Sequence, residues 1–170
     1  MVPAMLAALT TEDFGYRLLL LLHIVAVVVG YGVTFVIPFF TARLRRAQAV
    51  SRMEVQEATT ILGGAIVAPA LWVAGLFGIV LVAVGPWEFS DTWVSIAFVL
   101  WIAGAALALF VILPSERKAL GLARRIANAQ AGGETVAQYN LVKSRTSMLT
   151  SVNHVIFLLL VIDMIWKPWS

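Results

Sequence analysis

Apolar residues fall into four long runs, and polar residues collect between them. The runs cover residues 16–41, 60–84, 93–113 and 148–166. The first is the clearest: LLLLLHIVAVVVGYGVTFVIPFFTA, residues 18–42, carries no formal charge unless His23 is protonated. A helix needs roughly 20 predominantly apolar residues to cross the hydrocarbon core, so each run predicts a transmembrane helix. Four such helices joined in order predict an all-α, up-and-down four-helix transmembrane bundle, with residues 1–170 forming a single integral membrane domain.

The polar segments set the orientation. Arg43, Arg45, Arg46 and Arg52 follow the first run, and Arg117, Lys118, Arg124, Arg125, Lys143 and Arg145 follow the third. The connection after the second run, GPWEFSD, holds acids and no base. Lys and Arg mark cytoplasmic loops, so both termini are expected outside. Tyr16, Trp87, Trp93, Trp166 and Trp169 all fall at the predicted outer interface, where amphipathic rings prefer to sit.

The long third loop, 114–145, is not featureless. SERKALGLARRIANAQ has helical spacing that Gly132 and Gly133 are expected to stop. A second helix from Glu134 runs into span four, with Thr135 and Gln138 matching a capping box. The resulting basic hairpin is either a solvated connector or a surface for partners or anionic lipid. At the N-terminus, MVPAMLAAL lacks a basic region and a small-residue cleavage site, so it does not read as a signal peptide. Thr10, Thr11, Glu12 and Asp13 offer capping oxygens and negative charge to the first helix.

Composition agrees with a lipid solvent. The chain is 61% hydrophobic and 12% charged, against roughly 45–50% and about 25% in soluble domains; its mean hydropathy is +0.94. The net charge of +3 lies in two inter-helix loops, which makes it a topology signal and not a nucleic-acid footprint. With no cysteine, disulfides, thiolate-held clusters and covalently attached c-type haem are excluded.

Packing seams appear at helical spacing. Span two aligns Gly64, Ala68, Leu71, Gly75 and Gly78; span three aligns Ala97, Trp101, Gly104 and Ala108; span one aligns His23, Val27, Gly30, Thr34 and Thr41. Small residues allow close approach of helices in lipid; the same stripes could instead make room for a cofactor. Pro38 and Pro69 lie within spans and can kink helices or free carbonyls. Trp72 and Trp101 read as core residues near mid-membrane.

Ionisable groups inside a membrane usually face the bundle interior. His23 lies near the outer end of span one and His154 in the inner half of span four, beside Asn153 and on the face of Ser147 and Thr150. Each histidine is a candidate cofactor ligand, with haem b the cofactor considered, or a hydrogen-bonding group. Their depths differ by about 12 Å at 1.5 Å per residue, which disfavours one haem held by both. Asp163 is nearer His23 in depth, and a hydrogen bond between them would orient the imidazole; Lys167 and Arg17 are its alternative partners. Thr34, Asn153 and Asp163 complete the intramembrane polar set. No phosphate loop, metal-ligand spacing or nucleophile elbow is present, so no metal site is expected.

LLLLLHIVAVVVGYG in span one, APALWVAGLFGIVL in span two, the Leu-Pro after span three and the IDMIWKP terminus together resemble a bacterial family of predicted integral membrane proteins, domain-of-unknown-function family 2269. The resemblance covers nearly the whole chain and implies a multi-pass bacterial plasma-membrane protein without an assigned reaction. The Leu-His opening of span one is also similar to four-helix membrane families linked to haem biosynthesis and copper handling, and only His23 carries across. The methionine and histidine clusters of copper transport are missing.

The expectation is a non-enzymatic membrane protein acting through membrane lipid, a membrane protein partner or copies of itself, with no nucleic-acid partner. The alternative is a haem-binding or redox protein using His23, with His154 as second candidate.

Overall fold

The computed structural model describes residues 10–47, 51–128 and 132–168. Four helices contain almost all of them, and no strand occurs among the described residues. Helix α1 is Phe14–Ala47. Helix α2, residues 52–84, joins Arg52–Leu62 and Ala68–Val84 through a π turn at Gly63–Val67. Helix α3, Thr92–Ala127, carries a second π turn at Leu107–Ile112. Helix α4 is Gly133–Trp166. All four are long and apolar enough to cross a membrane.

The bundle is turned outward as lipid requires. Phe39, Phe110, Val99 and Trp166 are 79%, 78%, 67% and 71% exposed, a surface too apolar for water. Polar residues turn inward: His23, Gln56, Thr146, Asn153 and Asp163 are all buried.

Small residues set the interhelical distances. Gly30 of α1 lies against Ala70 of α2. Gly75 of α2 receives the Trp101 ring of α3, whose Nε1–H donates to the Leu71 carbonyl at 3.2 Å. Gly104 of α3 faces Asn153 of α4. Helices α1 and α4 meet through rings, Tyr31 stacking on Phe157 with centroids 3.6 Å apart and Phe35 on His154 at 4.3 Å.

The spans begin and end where the apolar runs do at the aromatic end, yet α2, α3 and α4 continue well past them at the basic end. The loop of residues 114–145 is largely helix. Gly133 starts α4 instead of stopping α3, which ends at Ala127. Thr135 is therefore not a cap: its N–H bonds to the Gly132 carbonyl inside the first turn. The capping box sits at Ser51 and Glu54, whose side chains and backbone exchange bonds at 3.2 and 2.7 Å. Trp101 is packed as expected, but Trp72 is 57% exposed and edges against it from the lipid side. The side chain of Thr41 and residue Trp169 lie outside the described residues.

Candidate functional site

Proline inside a helix lacks an N–H and crowds the carbonyl four residues back. Two prolines here follow π turns. Ahead of Pro69, the Ala68 N–H bonds the Gly63 carbonyl; ahead of Pro114, the Leu113 N–H bonds the Ala108 carbonyl. Each wider turn absorbs the missing donor, so the helix continues. The two π turns adjoin where Leu113 lies beside Gly63 and Gly64.

A cavity of about 960 Å³ opens beside them, in the basic half of the bundle. One wall is apolar: Ile37 and Pro38 of α1, Val67 and Leu71 of α2, Ala108 and Ile112 of α3. The other is α4, with Lys143, Ser147, Thr150, Ser151, Asn153 and His154 at helical spacing. Pro38 and Ala42 of α1 also line it, as do Ser147 and Ser151 of α4.

At the basic mouth a polar network ties three helices together. Gln56 of α2, 1% exposed, donates to the carboxylate of Glu116 and, at 3.3 Å, to its carbonyl. The Tyr139 hydroxyl donates to Gln56 Oε1 at 3.5 Å. Lys143 Nζ lies 3.1 and 3.0 Å from the two Glu116 oxygens. Both side chains are mostly buried, at 23% and 12% exposure, so removing either leaves an uncompensated charge. Ala119, Leu122, Ala123 and Tyr139 pack into a small core beneath.

At the deep end Thr34 Oγ1 donates to the Tyr31 carbonyl at 2.7 Å. Its one proton is thereby committed, so His154 Nε2, 2.9 Å away, is the donor to Thr34. The His154 ring then carries its lone pair on Nδ1. Part of the remaining α4 wall is already satisfied: the Thr150 and Ser151 hydroxyls return to carbonyls four residues back. Asn153 differs. It is 8% exposed, and its Oδ1 has no hydrogen-bond partner, a condition costing about 1–3 kcal/mol.

The structure thus joins two predicted polar residues, Thr34 and His154, and puts Asn153 beside them. His23 lies elsewhere, between α1 and α2, donating from Nδ1 to the Ala74 carbonyl at 2.9 Å with its ring against Gly78. Its Nδ1 is not directed to Asp163. Thr34, which marks the depth of His154 on α1, is eleven residues beyond His23, about 16 Å of rise. The two imidazoles therefore do not fit one haem, and the cavity does not reach His23. Among the described residues no three His, Asp or Glu side chains are grouped to hold a metal.

Asp163 is buried at the aromatic end with Oδ2 unpartnered. Neither expected ion pair forms: Arg17 pairs with Glu12, and the Lys167 ammonium lies over Trp87, 3.5 Å from the ring centre. Burial lowers Lys167 from the ordinary lysine pKa, while the ring face favours its charged form. Trp87 in turn donates to the Tyr16 hydroxyl at 3.1 Å.

Gln56 and Glu116 carried no sequence signal beyond their positions flanking spans, since their pairing spans 60 residues. Ser51-x-x-Glu54 did carry one.

Over residues 17–168 the chain matches a family described as predicted integral membrane protein (DUF2269). No curated protein and no solved structure matches it.

Proposed function

We propose that this chain, which belongs to the DUF2269 family of predicted integral membrane proteins, is a non-enzymatic binding protein holding a neutral amphiphile inside the bilayer. The observation that carries this reading is the cavity of about 960 Å³ with one polar and one apolar wall. Ligand pockets run to roughly 300–1,000 Å³, so the space suits a lipid-sized molecule. The charges lining it, Glu116 and Lys143, neutralise one another. A charged head group would find no free counter-charge there, whereas an uncharged one disturbs nothing. Helices α1 and α4 both line the cavity, and its residues Ser147 and Ser151 are exposed, which offers a route from the lipid.

The membrane is the bacterial plasma membrane, with the basic end in the cytoplasm and both termini outside; the distribution of Lys and Arg supports this orientation. Exposed Arg117, Lys118, Arg125 and Arg145 then face anionic head groups or a membrane partner.

The test is native mass spectrometry of the protein released from nanodiscs doped with monoolein, a neutral single-chain amphiphile. One monoolein is expected on the wild type and on Val99→Phe at the lipid face, and none on Ala108→Phe, which fills the cavity. Equal occupancy in all three would refute the cavity as the site.

A further inference from the structure

We infer that the cavity holds its ligand's head group on two backbone carbonyls, those of Gly64 in α2 and Leu109 in α3. The ligand class is then a neutral amphiphile with two hydrogen-bond donors on its head, as the adjacent hydroxyls of a monoglyceride supply. This rests on the amphiphile-binding reading above and specifies its chemistry.

The two prolines decide which carbonyls are left over. A carbonyl inside a helix takes its bond from the N–H four residues on, or five in a π turn. For Gly64 these positions are Ala68 and Pro69. The Ala68 N–H goes to Gly63, and proline has none. For Leu109 they are Leu113 and Pro114. The Leu113 N–H goes to Ala108, and again proline has none. Each π turn therefore keeps its helix continuous and leaves one carbonyl without a donor. The hydroxyls nearest in sequence are engaged elsewhere, Thr60 with the Gln56 carbonyl and Ser115 with that of Val111.

Both carbonyls face the cavity. A helical C=O points along the axis toward the residue four positions on, so it emerges between the side chains at i+3 and i+4. Those are Val67 and Ala68 for Gly64, and Ile112 and Leu113 for Leu109, and all four line the cavity. The wall that is apolar in its side chains thus carries two backbone acceptors. They also approach one another. Leu113 lies beside Gly64, and Leu109 is one turn nearer the aromatic end, about 6 Å of rise. Helices α2 and α3 run antiparallel. The Gly64 C=O therefore points toward the aromatic end and the Leu109 C=O toward the basic end, both into that interval.

A carbonyl without a donor is costly away from water. Two neighbouring hydroxyls donate one bond to each. Ether and ester oxygens can only accept, and they leave both carbonyls bare. On the α4 wall the lone pair of His154 Nδ1 is a third acceptor, and the Ser147 hydroxyl pairs with either kind of head group. Sites built to pair a hydroxyl reject analogues that lack it, because their own polar groups are then buried unpaired.

The experiment compares monoolein with its dimethyl ether, equal in chain and ester and unable to donate, by equilibrium binding to the intact protein in nanodiscs. Wild type is expected to bind monoolein at least about tenfold more tightly. Pro69→Ala with Pro114→Ala restores both N–H groups, at exposed positions that do not line the cavity. In that double variant monoolein is expected to fall to the affinity of the ether, while ether binding stays unchanged and shows that the fold is kept. Either substitution alone is expected to remove part of the preference. Equal binding of both ligands by the wild type would overturn the inference and leave the cavity reading standing. A monoolein preference undiminished by the proline substitutions would overturn it too, with Ser147 and His154 as the ligand's partners. Binding of neither ligand by the wild type would remove the amphiphile reading itself.

Discussion

At the residue scale the determining feature is how little space separates the helices. Gly75 shows it most sharply, since a methyl there would overlap the Trp101 ring. The ring is not free to move: Nε1 is tied to the Leu71 carbonyl and the ring packs nearly perpendicular to that of Trp72. Gly75→Ala should therefore destabilise the protein by about 1–3 kcal/mol through overpacking, measured by thermal unfolding in detergent. Gly121, with nothing within 4 Å of an added methyl, is the control and should tolerate alanine. A Gly75→Ala variant as stable as wild type would mean that α2 and α3 are not packed in this way.

Helices, as elements, are tied to one another at the basic end by charge and at the aromatic end by rings. Glu116 of α3 holds Gln56 of α2 and Lys143 of α4 together. Breaking one member of a mostly buried pair costs more than replacing both. Glu116→Leu alone and Lys143→Met alone are each expected to lower stability by about 2–4 kcal/mol; the double variant should lose less than the two singles summed. Additive losses would show that the pair is not coupled.

The same elements show what the sequence could and could not reveal. Apolar runs and glycine stripes were legible because lipid and close packing impose them locally: His23, Gly30, Gly75 and Gly104 all lie on interhelical faces, as their spacing implied. The polar face of α4 was legible too, and so was Thr34 as a polar position on the seam of α1; that Thr34 meets His154 emerges only when the helices are docked. The extension of α3 through Pro114 was not. A proline after an apolar run reads as a break, and the π turn that accommodates it has no residue signature. Nor was the Gln56–Glu116–Tyr139 network, because pairings over 60 or more residues emerge only when helices are docked. Lys167 reads as a partner for Asp163 four residues before it, yet its backbone turns left-handed, with φ 43°, and its ammonium goes to the Trp87 face.

Taken whole, the molecule is a bundle with an apolar exterior, an aromatic end and a basic end that holds the cavity mouth. Because the chain contains no cysteine, any introduced thiol is unique. A thiol at Asn128 should react with an impermeant maleimide only from the cytoplasmic side, and one at Ser90 only from outside; the reverse pattern in intact cells would invert the orientation.

The most direct test of the cavity uses two adjacent positions. Ser147 lines it, whereas Met148, 62% exposed, is not among the lining residues. In nanodiscs, alkylation of Ser147→Cys by a membrane-permeant maleimide should slow about tenfold when monoolein is added, and that of Met148→Cys should not change. Equal slowing at both positions, or at neither, would contradict an interior site for the amphiphile.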